Sequence, residues 1–411
     1  MFHRQECTMR NNMQKRRFII LFTINFFITL AFAANDSLFP LFYNKYYSQG
    51  LTFGFAFAFY AASKILFSPL AGSIIDRYGS RIVLFFALVL FTTVSLMFCL
   101  VHGAKIILIL RALQGIACAM FRPVMYCLLE FSEKQRGKTL GIFDLSFYSA
   151  VAAAPFTGSV IVENFGFGYL FLFIILCCCF CIFLVFFIGE NKKNEPIYDK
   201  KQSQVFKKTE INTMMIYIFC RAWGISAVTV FLPIYLSGLS VSVKGIGLAL
   251  SLSALLTAVF LPFTGRLADY FHKEILIVCG GLAVSSLLIA TVLLNSYVYI
   301  LAVLLFSGIF SAVSQPACLA FLMEQSESAV HGSILGHFNM FMGLGFACSP
   351  VFSSILFKYA GIKSVFIFSG LMGIVSTIVF FLMRTGRISA QSMSAIGNEP
   401  ADWSAGKVTG T

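Results

Sequence analysis

The chain has 411 residues, of which 59% are hydrophobic and only 11% charged. Soluble proteins carry about 25% charged residues, so this composition excludes an ordinary soluble enzyme or binding domain. A net charge of +13 can indicate a nucleic-acid partner in a soluble protein. Here the basic residues lie in loops between apolar runs, so membrane topology explains them and we expect no nucleic-acid partner.

Twelve apolar runs are long enough to cross a bilayer as helices, since about 20 residues span the roughly 30 Å hydrocarbon core. The first run is too long for the apolar part of a signal peptide, so we interpret it as the first span. The predicted spans are 18–43, 51–74, 82–102, 105–129, 139–162, 167–189, 211–237, 245–267, 274–295, 297–322, 332–357 and 362–383.

A polar, lysine-rich segment separates the first six spans from the last six. The sequence therefore predicts an all-α membrane protein with two six-helix bundles, at 18–189 and 211–384, joined by a cytoplasmic linker at 190–210. Residues 1–17 form a predicted cytoplasmic N-terminal tail. Residues 385–411 are rich in small polar residues and are expected to form a disordered cytoplasmic tail.

The distribution of Lys and Arg predicts the orientation. If the N-terminus is inside, 21 of the 30 basic residues lie in cytoplasmic segments and five in outer loops. Cytoplasmic loops carry the excess of Lys and Arg in membrane proteins. We therefore expect a multi-pass protein of the cell (inner) membrane with both termini in the cytoplasm.

The two halves repeat each other at a constant offset of 193 residues. The matching pairs include Pro40 with Pro233, Pro69 with Pro262, Gly72 with Gly265, Asp76 with Asp269, and Pro123 with Pro316. Because each half starts and ends on the same side, the copies are predicted to be parallel and related by an axis along the membrane normal.

A short charged turn between spans two and three carries the clearest motif. It reads Gly72-Ser-Ile-Ile-Asp76-Arg77-Tyr-Gly79-Ser-Arg81, and Gly265 and Asp269 belong to a shorter second copy. Arg111-Ala-Leu-Gln114-Gly115 and the segment that contains Pro155 and Gly158 are further motifs. Together these segments resemble the major facilitator superfamily, whose drug:proton antiporter branch carries an acid where Asp36 lies.

The resemblance implies a role for the charged turn. In that family the Asp, here Asp76, faces the start of helix eleven, and the basic residues Arg77 and Arg81 reach acids such as Glu130 or Glu133. Such a cluster bridges the two halves when the cytoplasmic side is closed, and so favours one conformation. The alternative is that these charges mark the turn and fix the topology.

Charges inside spans point to a cavity, because a mid-membrane charge costs roughly 2.5–3.5 kcal/mol on insertion scales. Arg111 and Arg122 are eleven residues apart, so both lie on one side of helix four, with Gln114 near the same stripe. Asp36 lies at the depth of Arg111, and Asp144 at the depth of Arg122. Asp144 is close enough in depth to Arg122 for the two to pair across neighbouring helices.

Lys64 and Arg221 bring the basic residues within spans to four, against two acids. This surplus predicts a cavity that attracts an anionic or zwitterionic solute, with Gln315 and aromatic residues contributing from the C-terminal half. Asp36 is the favoured coupling acid and Asp144 the second choice. Alternatively, Arg122 and Asp144 form a structural pair and Lys64 extends toward the interface.

Four prolines are predicted inside helices that also carry small residues, a combination that bends helices and allows close packing. They are Pro123, Pro155, Pro316 and Pro350. The pattern suits gating helices, although many polytopic proteins share it.

We therefore expect a secondary transporter that works by alternating access and exports a small amphipathic or anionic organic solute with proton coupling. The alternatives are a proton-coupled importer of an organic anion, such as a carboxylate siderophore or metabolite, and a channel or membrane receptor. The sequence carries no phosphate-binding loop and no metal-ligand spacing among its cysteines. We thus predict no enzyme activity, cofactor or metal, and a monomer in the bilayer.

Overall fold

The computed structural model of the protein describes residues 2–47, 51–100, 103–129, 136–188, 209–324 and 331–397. These residues form twelve α-helices, each containing a stretch long and apolar enough to span a membrane. The helices are α1 Phe2–Tyr46, α2 Leu51–Tyr78, α3 Ser80–Leu100, α4 Ala104–Leu128, α5 Arg136–Phe165, α6 Phe167–Val185, α7 Thr209–Gly238, α8 Val243–Tyr270, α9 Lys273–Leu293, α10 Tyr297–Glu324, α11 His331–Ala360 and α12 Ile362–Gly397. The predicted fold class is confirmed.

The first and last helices extend beyond the predicted spans. Helix α1 begins at Phe2 rather than near residue 18, and α12 continues to Gly397 rather than ending near residue 384. The predicted linker lies almost wholly outside the described residues, as does the end of the C-terminal tail. The division of the chain into tails, bundles and linker stays a prediction.

The turn between α2 and α3 depends on Gly79. Its φ of 84° lies in the left-handed region of backbone conformation, which residues with a Cβ atom rarely adopt. Its N–H donates to the carbonyl of Ile75 at 2.8 Å and closes the last turn of α2. The backbone geometry of this turn therefore explains why the motif has a glycine at position 79.

We call α1–α6 the N-terminal half and α7–α12 the C-terminal half. Odd-numbered helices run from the face that carries the starts of α1 and α7, the termini face, to the opposite face. The halves meet mainly where α2 packs on α11 and α5 packs on α8, and α1 contacts α7 between them. The two contacts correspond to each other, because α2 matches α8 and α5 matches α11 in the repeat, as expected for parallel copies.

On the α2–α11 side, the halves touch near the opposite face. Gly54 allows this approach, because a Cβ atom there would lie 2.6 Å from the carbonyl oxygen of Pro350 and 2.7 Å from the Ser354 hydroxyl oxygen. Nearby, the Phe53 ring meets the Phe231 ring edge-on, with centroids 5.6 Å apart.

On the α5–α8 side, polar contacts join the halves at the same level. The Phe156 N–H donates to the Ser251 hydroxyl at 2.8 Å. Closer to the opposite face, the Lys244 N–H donates to the Glu163 carboxylate at 2.6 Å, and the Lys244 ammonium lies 3.5 Å from the same carboxylate. The carboxylate thus accepts from an unsatisfied amide in the first turn of α8.

The hydrophobic core also joins the two halves near the opposite face but not near the termini face. One large buried cluster runs through the N-terminal half and continues into the C-terminal half through residues such as Phe231, Ile246 and Phe366, toward the opposite face. Toward the termini face, Met214, Ile277 and Phe321 belong to a second cluster confined to the C-terminal half. Among the described residues, the halves share a core at the opposite face and separate toward the termini face.

We expect the substitution Gly247→Ala to separate the halves at the opposite face. A Cβ atom at Gly247 would collide with the Ser159 hydroxyl and lie 2.5 Å from the carbonyl oxygen of Pro155. Spin labels at Tyr169 and Val298, which are exposed on different halves near this face, would report a longer distance by pulsed electron resonance.

The matched control is Gly336→Ala, since nothing lies within 4 Å of a Cβ atom at Gly336. If the distance distribution of Gly247→Ala is unchanged, the Gly247 contact with α5 does not hold the two halves together at the opposite face.

Candidate functional site

The most enclosed charge in the described structure is Arg111 on α4, which is 1% exposed. Its Nη1 donates to the Asp36 carboxylate at 3.0 Å and to the Gln114 side-chain oxygen at 2.7 Å. Its Nε donates to the carbonyl of Ala56 at 3.4 Å. The structure therefore joins α1, α2 and α4 through one guanidinium group.

Aromatic rings enclose this guanidinium group. Its central carbon lies 4.1 Å from the Phe39 ring centroid, 4.4 Å from that of Tyr60 and 5.2 Å from that of Phe57. Such contacts stabilise a desolvated cation by about 2 kcal/mol. Asp36 is less enclosed, with its side chain 24% exposed. The acid of the pair is therefore the member that solvent or a ligand can reach.

Arg122 and Asp144 form a second, more open group. Their closest atoms are 3.9 Å apart, and the side chains are 52% and 34% exposed. The Tyr126 hydroxyl donates to the Asp144 carboxylate at 2.8 Å, and Arg122 Nη2 donates weakly to that hydroxyl at 3.4 Å. The Arg122 guanidinium also lies 4.3 Å from the Phe147 ring centroid. The pairing predicted between α4 and α5 is thus mediated by a tyrosine.

Lys64 and Arg221 have no acidic partner among the described residues. The Lys64 ammonium lies 5.5 Å from the Phe32 ring centroid, and the side chain is exposed. Arg221 on α7 is partly buried and donates from Nη2 to the carbonyl and hydroxyl oxygens of Ser311, at 3.4 Å and 3.2 Å. Gln315, one turn further along α10, lines the same cavity as Arg221.

The cavity beside Arg221 has a volume of about 370 Å³ and lies between α7, α8, α9, α10 and α12. Val151 of α5 also lines it, so the cavity reaches the junction of the two halves. The predicted site residues thus form three groups: the Arg111 cluster, the Arg122 group, and Arg221 with Gln315 at the cavity of the C-terminal half. Lys64 lies beside Phe32, whose ring centroid is 6.0 Å from that of Tyr60 in the Arg111 cluster.

The charged turn adopts an arrangement that the resemblance did not imply. Arg81 donates to the carbonyls of Val185 and Phe186, at 3.1 Å and 2.9 Å, and so caps the end of α6. Asp76 and Arg77 are exposed and form no ion pair with a described residue. Asp76, Arg77 and Arg81 therefore form no bridge to a described residue of the C-terminal half, which agrees with the separated cores at the termini face.

Other predicted motif residues are placed as follows. Glu130 lies outside the described residues, as does the side chain of Asp269. A Cβ atom at Gly72 or Gly265 would meet nothing within 4 Å, so neither glycine is required by close packing in this conformation.

The predicted helix-bending residues all lie inside helices, namely Pro123 in α4, Pro155 in α5, Pro316 in α10 and Pro350 in α11. The carbonyl oxygens of Pro155 and Pro350 are among the atoms nearest to Gly247 and Gly54 across the junction of the halves. Gly158 instead packs inside the N-terminal half, where a Cβ atom would lie 2.8 Å from the Leu38 side chain.

Sequence reasoning missed the partners of the charged residues. Tyr126 lies four residues after Arg122, a spacing that places both on one helix face and could have identified it. Phe39, Tyr60 and Ser311 had no comparable signal, since they come from other helices.

The comparison with known families identifies the chain. The model of the Major Facilitator Superfamily matches residues 21–242 and again residues 214–404. The chain belongs to this superfamily of membrane transporters. It is therefore a transporter rather than an enzyme, and the predicted resemblance is confirmed.

Curated relatives of the superfamily include an uncharacterized MFS-type transporter of Methanocaldococcus jannaschii, 31% identical over 43% of this chain and 46% of the relative. Multidrug resistance protein 2 of Bacillus subtilis is 24% identical over 89% of this chain and 94% of the relative. Quinolone resistance protein NorA of Staphylococcus aureus is 23% identical over 69% of this chain and 75% of the relative. The chain thus spans less than half of the first of these relatives.

Solved structures share the fold. The nucleoside transporter NupG superimposes with a TM-score of 0.77 over 89% of this chain and 98% of its own, at 11% identity. A D-xylose-proton symporter superimposes with a TM-score of 0.73 over 88% of this chain and 96% of its own, at 16% identity. At sequence identities this low, the likeness to these two structures shows a shared fold and nothing more.

Removing the acid from the buried pair is expected to destabilise the protein far more than removing it from the open pair. Asp36→Leu leaves a buried, uncompensated guanidinium group, which costs about 3–5 kcal/mol. Asp144→Leu breaks a half-exposed pair that contributes about 0–1 kcal/mol. Thermal unfolding of the purified variants in detergent measures the difference.

Adding Arg111→Met to Asp36→Leu should recover much of the lost stability, because the uncompensated charge is then removed as well. Equal destabilisation by Asp36→Leu and Asp144→Leu would refute the energetic ranking of the two pairs.

Proposed function

We propose that this transporter exports an amphipathic or anionic organic solute from the cytoplasm in exchange for protons, with Asp36 as the coupling acid. The observation that carries the proposal is the pair of a fully enclosed Arg111 and a partly exposed Asp36, 3.0 Å apart. Arg cannot lose its proton in a protein, so its charge always needs compensation. Only the acid can change its charge.

Proton binding at Asp36 changes the energy of the whole cluster. The protonated acid no longer compensates Arg111, and a buried unpaired charge costs several kcal/mol. The protein then favours a conformation in which Arg111 gains water or an anionic ligand as its partner. A conformational equilibrium shifts by the difference in interaction free energy between the two states, so protonation and alternating access become linked.

The orientation follows from the excess of Lys and Arg. We propose that the termini face is cytoplasmic, because 21 of the 30 basic residues lie in segments on that side. The separated cores then describe a conformation with its cleft open to the cytoplasm. The six-helix bundles at 18–189 and 211–384, the linker at 190–210 and the two tails keep their proposed boundaries, and the working unit is a monomer.

Two curated relatives support export. Both the Bacillus subtilis and the Staphylococcus aureus proteins are named for drug resistance, and the first aligns over 89% of this chain. Lys64 and Arg221, which lack acidic partners among the described residues, also fit an organic anion taken up with protons. Import of an organic anion is therefore the second candidate function.

Flux in proteoliposomes with and without a pH gradient tests the coupling, with dansylglycine as a fluorescent anionic probe and ethidium as a cationic one. Asp36→Asn should lower gradient-driven accumulation by about tenfold while downhill flux remains, because the proton step alone is lost. The direction of gradient-driven movement separates export from import.

The matched control for this test is Glu324→Gln, which neutralises an exposed acid paired with Lys273 at the termini face. It should accumulate the probe like the unmodified protein. Gradient-driven accumulation by Asp36→Asn at the level of the unmodified protein would rule out Asp36 as the coupling acid.

A further inference from the structure

The charges within the spans are compensated unequally in the two halves. In the N-terminal half Arg111 has Asp36 and Arg122 has Asp144, and only the exposed Lys64 lacks an acidic partner among the described residues. In the C-terminal half Arg221 faces only the oxygen atoms of Ser311, and its Nε and Nη1 groups donate to no described residue. An uncompensated guanidinium group at mid-membrane depth is costly unless it faces a cavity or a ligand.

Arg221 does face a cavity, and it is the only charged residue among the described residues that line it. The volume of about 370 Å³ falls within the range of small-molecule pockets. Apolar side chains, including those of Ile225, Val228 and Leu288, form part of the wall. The cavity can therefore enclose an apolar body next to a single positive charge.

Most hydroxyl groups of the wall already donate their protons to helix carbonyls. Ser253 donates to the carbonyl of Leu304 at 3.1 Å, and Thr257 to that of Gly308 at 3.0 Å. The oxygen atoms of these hydroxyl groups keep lone pairs that can accept from a ligand. The wall therefore favours a ligand that carries an N–H or O–H donor in addition to its negative group.

Two further polar groups of the wall have no partner among the described residues. The Ser369 hydroxyl belongs to a side chain that is 1% exposed, and no described residue hydrogen-bonds to it. Gln315, one turn from Ser311, makes no hydrogen bond to a described residue either. Gln315 is only partly buried, so its amide is available to a ligand in the cavity.

We propose that this cavity binds the substrate's carboxylate on Arg221, with the apolar body of the ligand between α7, α8, α9 and α12. The ligand class is an organic monocarboxylate with at least one hydrogen-bond donor. A single guanidinium group compensates one negative charge and matches carboxylate geometry, whereas a phosphate monoester carries more charge than the cavity can balance. Binding at Arg221 names the substrate class of the proposed transporter, and only the transport of this ligand depends on the proposed function.

Equilibrium binding to the full-length protein in phosphatidylcholine nanodiscs tests the site without any proton gradient. The probes are dansylglycine, which has a carboxylate, a naphthalene ring and a sulfonamide N–H, and its neutral analogue dansylglycinamide. Dansyl fluorescence rises when the ring enters an apolar cavity. The unmodified protein should bind the acid about 10- to 100-fold more tightly than the amide, since the charged contact is the difference between them.

Arg221→Gln should weaken acid binding by the same factor and leave amide binding unchanged, and Arg221→Lys should weaken it less. Arg266→Gln removes one charge from an exposed position of the same half and should bind like the unmodified protein. The acid-to-amide ratio of the unmodified protein remains decisive if an Arg221 variant fails to fold.

Equal affinities of the unmodified protein for acid and amide would overturn the proposal. It would also be overturned if Arg122→Gln abolished acid binding while Arg221→Gln kept it, because the carboxylate would then bind to the N-terminal half. Since no gradient is used, a coupled flux that survives in Asp36→Asn refutes the proposed coupling acid without affecting this result.

Discussion

A guanidinium group that cannot lose its proton lies almost completely enclosed in the N-terminal half, and much of the architecture follows from it. Arg111 holds α1, α2 and α4 together through the Asp36 carboxylate, the Gln114 amide and the carbonyl of Ala56, while three aromatic rings exclude water. Because the cation is fixed, the carboxylate is the only member of the cluster whose charge can change. This arrangement is the basis for our proposal that Asp36 is the coupling acid.

The two halves share one backbone plan but differ in how their charges are balanced. The N-terminal half pairs its two mid-span arginines, Arg111 and Arg122, with acids at 3.0 Å and 3.9 Å, while Lys64 has no acidic partner among the described residues. The C-terminal half places Arg221 beside hydroxyl groups and a cavity of about 370 Å³. Under the proposed function, such a division would separate the response to protons from the binding of a ligand.

In this conformation, close backbone contacts join the halves near the opposite face, and the charged turn makes no ion pair between them among the described residues. Near the opposite face, glycines let helices from different halves approach to atomic contact, at Gly54 against Pro350 and at Gly247 against Pro155. The ion pair of Glu163 and Lys244 adds a polar contact at the outer end of the same junction. Toward the termini face, Asp76 and Arg77 stay exposed and form no ion pair with a described residue, so the bridging role that the resemblance implies stays a prediction.

The sequence alone determined the twelve spans, the parallel repeat and the depth of every charge, because position along a helix converts to depth at about 1.5 Å per residue. Depth was enough to predict that Asp36 would lie with Arg111 and Asp144 with Arg122. Only the tertiary structure decided that the first pair is enclosed and the second open, that Arg81 caps α6, and that Arg221 faces a cavity. Those features depend on the direction in which each side chain leaves its helix and on which helix lies there, and that is set by the packing of all twelve helices together.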